Sequence, residues 1–167
     1  MNSPTYQSGG FLTILAAVIP AVFLLYKVYQ YDRTEKEPTS LIVSLVMLGV
    51  LSTFCAIATE QFGIGLLSNI FAQDSILFRF FMFFFVVGLS EEGFKFLFLK
   101  RRTWNDPNFD TTYDGIIYAV AVSLGFALFE NIMYVGRFGL EVAAVRAVTA
   151  IPGHACFSVF MGVWYAE

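Results

Sequence analysis

Long apolar stretches alternate with short polar connections along the chain, at roughly 10 to 31, 39 to 62, 70 to 99, 114 to 136 and 142 to 165. Each is long enough to cross a hydrocarbon core that takes about 20 apolar residues per helix. Runs such as LIVSLVMLGVL and FRFFMFFFVVGL are continuously apolar, whereas a transmembrane barrel needs strict in/out alternation over strands of about ten residues. The pattern predicts an all-α, polytopic transmembrane helix bundle with about five spans, forming a single transmembrane domain over residues 1–167. The third stretch, about 30 residues, exceeds one perpendicular crossing and must tilt, break near Gly88 or overshoot the membrane.

Composition agrees: 57 % of the residues are hydrophobic and 14 % charged, against roughly 25 % charged in a soluble domain. The formal charge of -3 is scattered, with no basic stripe, which excludes a nucleic-acid partner and leaves the lipid bilayer as the expected surrounding. Cys55 and Cys156 lie in apolar sequence without ligand spacing and read as small core residues. No Lys or Arg precedes the first apolar stretch and no small-residue cleavage site follows it, which argues against a cleaved signal peptide. Arg33 and Lys36 in one connection, and Lys100, Arg101 and Arg102 in another, place residues 32–38 and 100–113 in the cytoplasm and the N-terminus outside. Arg137 runs against that assignment. The last apolar stretch reaches the end of the chain at Glu167, so further helices beyond it are expected.

Ionisable side chains inside apolar helices cost about 2.5 to 3.5 kcal/mol each, so they mark a bundle interior, a water cavity or a functional site. Glu91 and Lys95 stand at i and i+4 on one helical face, in the favourable order for pairing. Glu92 lies about 100° round the helix and is expected to face a different neighbour. Glu130 and Tyr134 share a face on the fourth stretch, with Asn131 beside them, and Gly115, Ala119 and Gly125 supply small residues for close helix approach. The fifth stretch carries His154, the sole histidine, with Ser158 one turn later and Arg146 two turns earlier. At 1.5 Å per residue, Glu91 lies about 20 Å from Trp104, Glu130 about 27 Å from Thr112 and His154 about 20 Å from Glu141. All three therefore reach the membrane's depth.

Two glutamates and a histidine suit hydrolysis: a carboxylate activates water, and an imidazole or amide stabilises the oxyanion. The residues alone leave other readings open. Glu91 with Lys95 fits a structural ion pair, His154 a core histidine, and Glu130 a partner of Tyr134 or Arg146. Glu91, Glu130 and His154 as zinc ligands would make a metallopeptidase, although zinc usually recruits more nitrogen or sulfur donors. A proton-relaying transporter or scaffold is a third class.

The motifs EEGFK at 91 to 95, FENIMY at 129 to 134 and PGHACFS at 152 to 158, together with YDGIIYAVAVSLGFALFENIMYV, resemble the PrsW family over residues 88–165. This is a family of multi-pass bacterial membrane peptidases related to the CAAX prenyl proteases and grouped with the glutamic intramembrane proteases. The resemblance implies an endopeptidase in a bacterial plasma membrane that cuts a membrane-anchored protein, of anti-sigma-factor type; the main expectation from the residues is that it works with no cofactor and no metal. The resemblance further implies that Glu91 activates water, that Glu92 supports it and that His154 binds or polarises the substrate carbonyl. Lys95, Glu130 and Tyr134 would position these groups, with Asn131 a candidate oxyanion donor. Ser158 departs from the family pattern, in which an acid or amide often follows the histidine by four residues.

Overall fold

A computed structural model describes residues 10–31 and 36–167, without the side chains of 11–13. Arg33 of the first basic connection lies outside the described residues. Seven α-helices and one π-helical segment follow in order: α1 (Gly10–Tyr31), α2 (Thr39–Ser68), α3 (Ile76–Phe81), the π segment (Met82–Gly88), α4 (Leu89–Thr103), α5 (Thr112–Phe138), α6 (Leu140–Val148) and α7 (Ala150–Ala166). Among the described residues there is no strand, so the chain is all-α, as its apolar pattern predicts. Ile14–Tyr31, Thr39–Ser68, Thr112–Phe138 and Leu140–Ala166 are long and apolar enough to cross a membrane. The expected third span is helical from Ile76 to Thr103, but its second half carries Glu91, Glu92, Lys95, Lys100, Arg101 and Arg102.

Helix α5 is the axis of the bundle, packed against α7, α2, α1 and α4. Its start is set by Thr111, whose hydroxyl accepts from the Asp114 amide while Asp114 accepts from the Thr111 amide, a reciprocal cap that satisfies two otherwise orphaned donors. From Ile117 to Ala127 every residue is buried, which requires neighbours on all sides at short range. Small residues make that possible. A Cβ on Gly115 would stand 2.7 Å from the Gly162 carbonyl of α7, and one on Gly125 would strike the backbone of Val46 on α2. Without a hydrophobic drive between helices in lipid, such backbone-to-backbone crossings supply the packing.

The long third stretch loosens where the sequence points, near Gly88, by widening into the π segment that ends there. Two departures from the sequence expectations are also present. The fifth stretch is not one helix. It is interrupted at Thr149 (φ -119°, ψ -73°), because the ring of Pro152 crowds the carbonyl four residues back and offers no N–H. Finally, Cys156 lies exposed on the outer face of α7 and Cys55 is half-buried; both are free thiols. Phe80, Phe83, Phe84 and Phe85 are exposed.

Candidate active site

Lys95 is the hub. Its side chain is 1 % exposed, and its Nζ lies 2.7 Å from Glu92 Oε1, 3.5 Å from Glu91 Oε2 and 3.0 Å from His154 Nδ1. The ammonium also sits 4.0 Å from the centre of the Phe126 ring, a favourable seat for a cation removed from water. The expectation that Glu92 turns away from Lys95 is corrected here. Residues at i+3 and i+4 both flank a given helical position, and the long lysine stem reaches both carboxylates, with Glu92 the closer. Glu91 is 16 % exposed and Glu92 34 %.

The π segment explains how α4 aims these groups. One wide turn before the motif re-phases the helix, and single π turns recur at functional sites for that reason. Ser90 ties the junction, its hydroxyl donating to the Val86 carbonyl at 2.5 Å and to that of Val87 at 3.1 Å.

Beyond Lys95 the network continues through His154 on α7. An ammonium only donates and a carboxylate only accepts. His154 Nδ1 therefore accepts from Lys95, and Nε2–H donates to Glu130 Oε2 at 3.2 Å. One tautomer satisfies both. The same Glu130 oxygen accepts from the Arg146 guanidinium at 2.6 Å, and Arg146 Nε donates to Asn131 Oδ1 at 2.9 Å. The Asn131 amide is fully buried and donates to the Ala17 carbonyl on α1 at 2.7 Å. The amide thus forms a strut between α1 and Arg146 through its oxygen and one of its two N–H donors. Tyr134 lies beneath the Arg146 guanidinium, 4.2 Å from ring centre to carbon.

The structure thus brings Glu91, Glu92, Lys95, Glu130 and His154 together from three helices that are distant in sequence, with Asn131 and Tyr134 behind them. Ser158 does not join: its hydroxyl is buried and donates to the His154 carbonyl at 2.9 Å. That bond, with a second from Ser123 Oγ to the same carbonyl at 3.1 Å, fixes the backbone under the imidazole. A cavity opens on Glu91 and Glu130 between α2, the π segment and α5, lined also by Glu60, Gln61, Tyr134 and Arg137. Glu60 escaped the sequence reading. Its signal was an acid in the apolar run ATEQFGIG near the end of the second stretch.

Glu91, Glu92 and His154 each bring one donor atom within 4.8 Å of the others. They are therefore the described residues nearest to a metal-binding set, and Lys95 Nζ lies among all three.

Comparison with known proteins identifies the family. Residues 37–166 match the model of the PrsW family intramembrane metalloprotease. The chain is 40 % identical to the Protease PrsW of Oceanobacillus iheyensis, an alignment that covers 93 % of this chain and 69 % of the relative. It is 35 % identical to that of Geobacillus kaustophilus, over 94 % of this chain and 67 % of the relative. With the Protease PrsW of Bacillus subtilis it shares 33 %, over 94 % and 69 %. No solved structure matches. On this evidence of family model, relatives and apolar helices, the chain belongs to the PrsW family and is an integral membrane peptidase of bacteria.

Proposed function

We propose that the chain is an endopeptidase that cuts a membrane-anchored protein by glutamate-activated hydrolysis, with Glu91, Glu92 and His154 as its catalytic residues and Lys95, Glu130, Asn131 and Tyr134 in support. The observation that carries this reading is the convergence of Glu91, Glu92, Lys95, Glu130 and His154 on one centre beside a cavity. Glu91 lines the cavity and is the less tightly paired of the two acids, so it is the one free to take a proton from water. Glu92, at 2.7 Å from Lys95, balances the ammonium. His154 donates to Glu130 over 3.2 Å, the long end of the N–H···O range, whereas Arg146 holds the same oxygen at 2.6 Å. The weaker contact is the one to exchange for a substrate carbonyl oxygen, which His154 would polarise. The substrate class is the anti-sigma-factor type of membrane protein that the resemblance implies.

The family description includes a metal, and the donor atoms near Lys95 test it. A cation held by Glu91, Glu92 and His154 would occupy the space of the Lys95 ammonium, which already donates a bond to each of them. Only one of the three is a nitrogen donor, whereas catalytic zinc sites are commonly built on two or more nitrogen or sulfur ligands. As arranged, these residues do not fit a metal, and no step of the proposed reaction passes through one. Membership in a peptidase family sets aside the transporter and scaffold readings.

On topology, Lys36, Glu37 and Pro38 meet Pro107, Asn108 and Asp110 around one small cavity, so both basic connections lie at one end of the bundle. We place that end in the cytoplasm by the positive-inside rule. The catalytic cavity then opens towards the opposite face, because it is lined from the far ends of α2 and α5.

The decisive experiment uses the protein in nanodiscs with a tagged single-pass membrane protein of anti-sigma-factor type, followed by gel. Cleavage that survives exhaustive chelation, in enzyme free of stoichiometric zinc, is the expected result. Loss of cleavage on chelation with recovery on zinc would overturn the metal-free reading.

A further inference from the structure

His154 is held between Lys95 and Glu130, and Glu130 is in turn held by a residue outside the family motifs. Glu130 Oε2 accepts simultaneously from His154 Nε2 and from Arg146. Arg146 is not free to move. Its Nε is fixed on Asn131, whose orientation is dictated by the Ala17 carbonyl, and its guanidinium plane lies over Tyr134. A guanidinium gripping two acceptors while stacked on a ring uses the planar fork that distinguishes arginine from lysine. Arg146 also stands on α6, across the Thr149 interruption from His154. The break lets two residues eight apart in sequence close on one carboxylate from different helices.

We infer that Arg146 is a positioning residue for the peptidase reaction: Lys95 on Nδ1 sets the tautomer of His154, and Arg146, by clamping Glu130, holds the acceptor that fixes the direction of its Nε2–H. The consequence is directional. Were the proton on Nδ1, it would confront the Lys95 ammonium, two donors facing each other over 3.0 Å, and Lys95 would be pushed off Glu91 and Glu92. Without Arg146, Glu130 loses its shortest bond and can turn from Nε2–H, and the imidazole, still the Nε2–H tautomer against Lys95, loses the partner that fixes its direction. At metal sites, partners that orient a histidine from behind are worth about 10- to 100-fold in activity, and an effect of the same order is expected for the metal-free imidazole here.

This inference rests on the hydrolytic reading above only for its kinetic half. Its structural half has an independent readout, because His154 is the sole histidine and uniform [15N]histidine labelling therefore reports one residue. In nanodiscs, wild-type protein should give a protonated Nε2 and an unprotonated Nδ1. Arg146→Met should keep that tautomer but shift the Nε2–H resonances upfield as the hydrogen bond to Glu130 is lost, and lower kcat about 10- to 100-fold on the tagged single-pass substrate, with KM changed less than about twofold. Arg146→Lys, which keeps a cation beside Glu130, should hold the Nε2–H resonances close to those of wild type and recover part of kcat. Where Arg146→Met does not fold, Arg146→Gln takes its place with the same expected outcome. A folded Met or Gln variant with the wild-type nitrogen pattern would overturn the inference, whatever its activity. If instead Glu91→Gln cleaves normally while Arg146→Met shifts the pattern, the hydrolytic reading falls and the positioning network stands.

Discussion

Replacing Lys95 with methionine tests the hub. The substitution keeps the length and apolar stem and removes only the ammonium, leaving Glu91 and Glu92 facing each other and His154 Nδ1 without a donor. Removing one partner of a buried ion pair costs about 3 to 5 kcal/mol, because the other charge stays behind in a poor solvent. Glu92 is partly exposed, at 34 %, and water relieves some of that penalty. The lower end of the range applies, about 3 kcal/mol, or roughly 150-fold in the folding equilibrium. If the penalty is electrostatic, neutralising one acid must return part of it. Glu92→Gln in the Lys95→Met background should recover about 1 to 2 kcal/mol, within the coupling energies measured for residues in direct contact. Reversible unfolding in mixed detergent micelles, monitored by circular dichroism on wild type, both single variants and the double variant, closes the cycle. Additive effects of the two substitutions, or a Lys95→Met protein as stable as wild type, would refute the hub.

Other outcomes follow from the same geometry. Gly115→Ala pushes a Cβ to 2.7 Å from the Gly162 carbonyl, which backbone cannot yield to; overpacking of this kind costs about 1 to 3 kcal/mol and should lower both thermal stability and cleavage. Gly136→Ala meets nothing within 4 Å and should match or exceed wild-type stability in the same melt. Tyr118 donates to Glu37 Oε2 at 2.5 Å and to the Asn108 carbonyl at 3.2 Å, tying the segment before α2 to α5. Tyr118→Phe should therefore lose about 1 to 3 kcal/mol in detergent unfolding. At the polar end, burial works against ionisation of Asp106, but bonds from Asn108 and Arg102 outweigh it and hold its carboxyl below the ordinary value of 3.8. A depressed folded value means a contribution that is complete above that ordinary value and lost as pH falls through the lower one. Stability measured against pH should show Asp106→Asn weaker than wild type at neutral pH, with the gap closing only in acid below about pH 4.

The sequence made the helices and the motif trio readable, because continuous apolar runs leave few architectures in lipid and because charges within them have few uses. What it could not show is where long side chains end. Lys95 was paired by spacing with Glu91, yet its flexible stem settles nearer Glu92, a choice made by His154 and Phe126 from other helices. The π turn before Glu91 has no sequence mark beyond Gly88 and the run of phenylalanine and valine ahead of it, since an i→i+5 bond is a response to packing. Pro152 did mark the interruption at Thr149, but hydropathy reads through a proline. Arg146 and Glu60 illustrate the remaining gap: a charge in an apolar run says that a partner exists and not which one. Glu130, twenty-four residues away from His154 along the chain, needed three dimensions.

The central claim is that Glu91 activates the water. Glu91→Gln removes the base and keeps the size, and general-base catalysis contributes about 10²- to 10⁴-fold. Initial rates of cleavage of the tagged single-pass substrate in nanodiscs, with folding verified by circular dichroism, should fall at least about a hundredfold. A folded Glu91→Gln protein that cleaves at the wild-type rate would contradict the account.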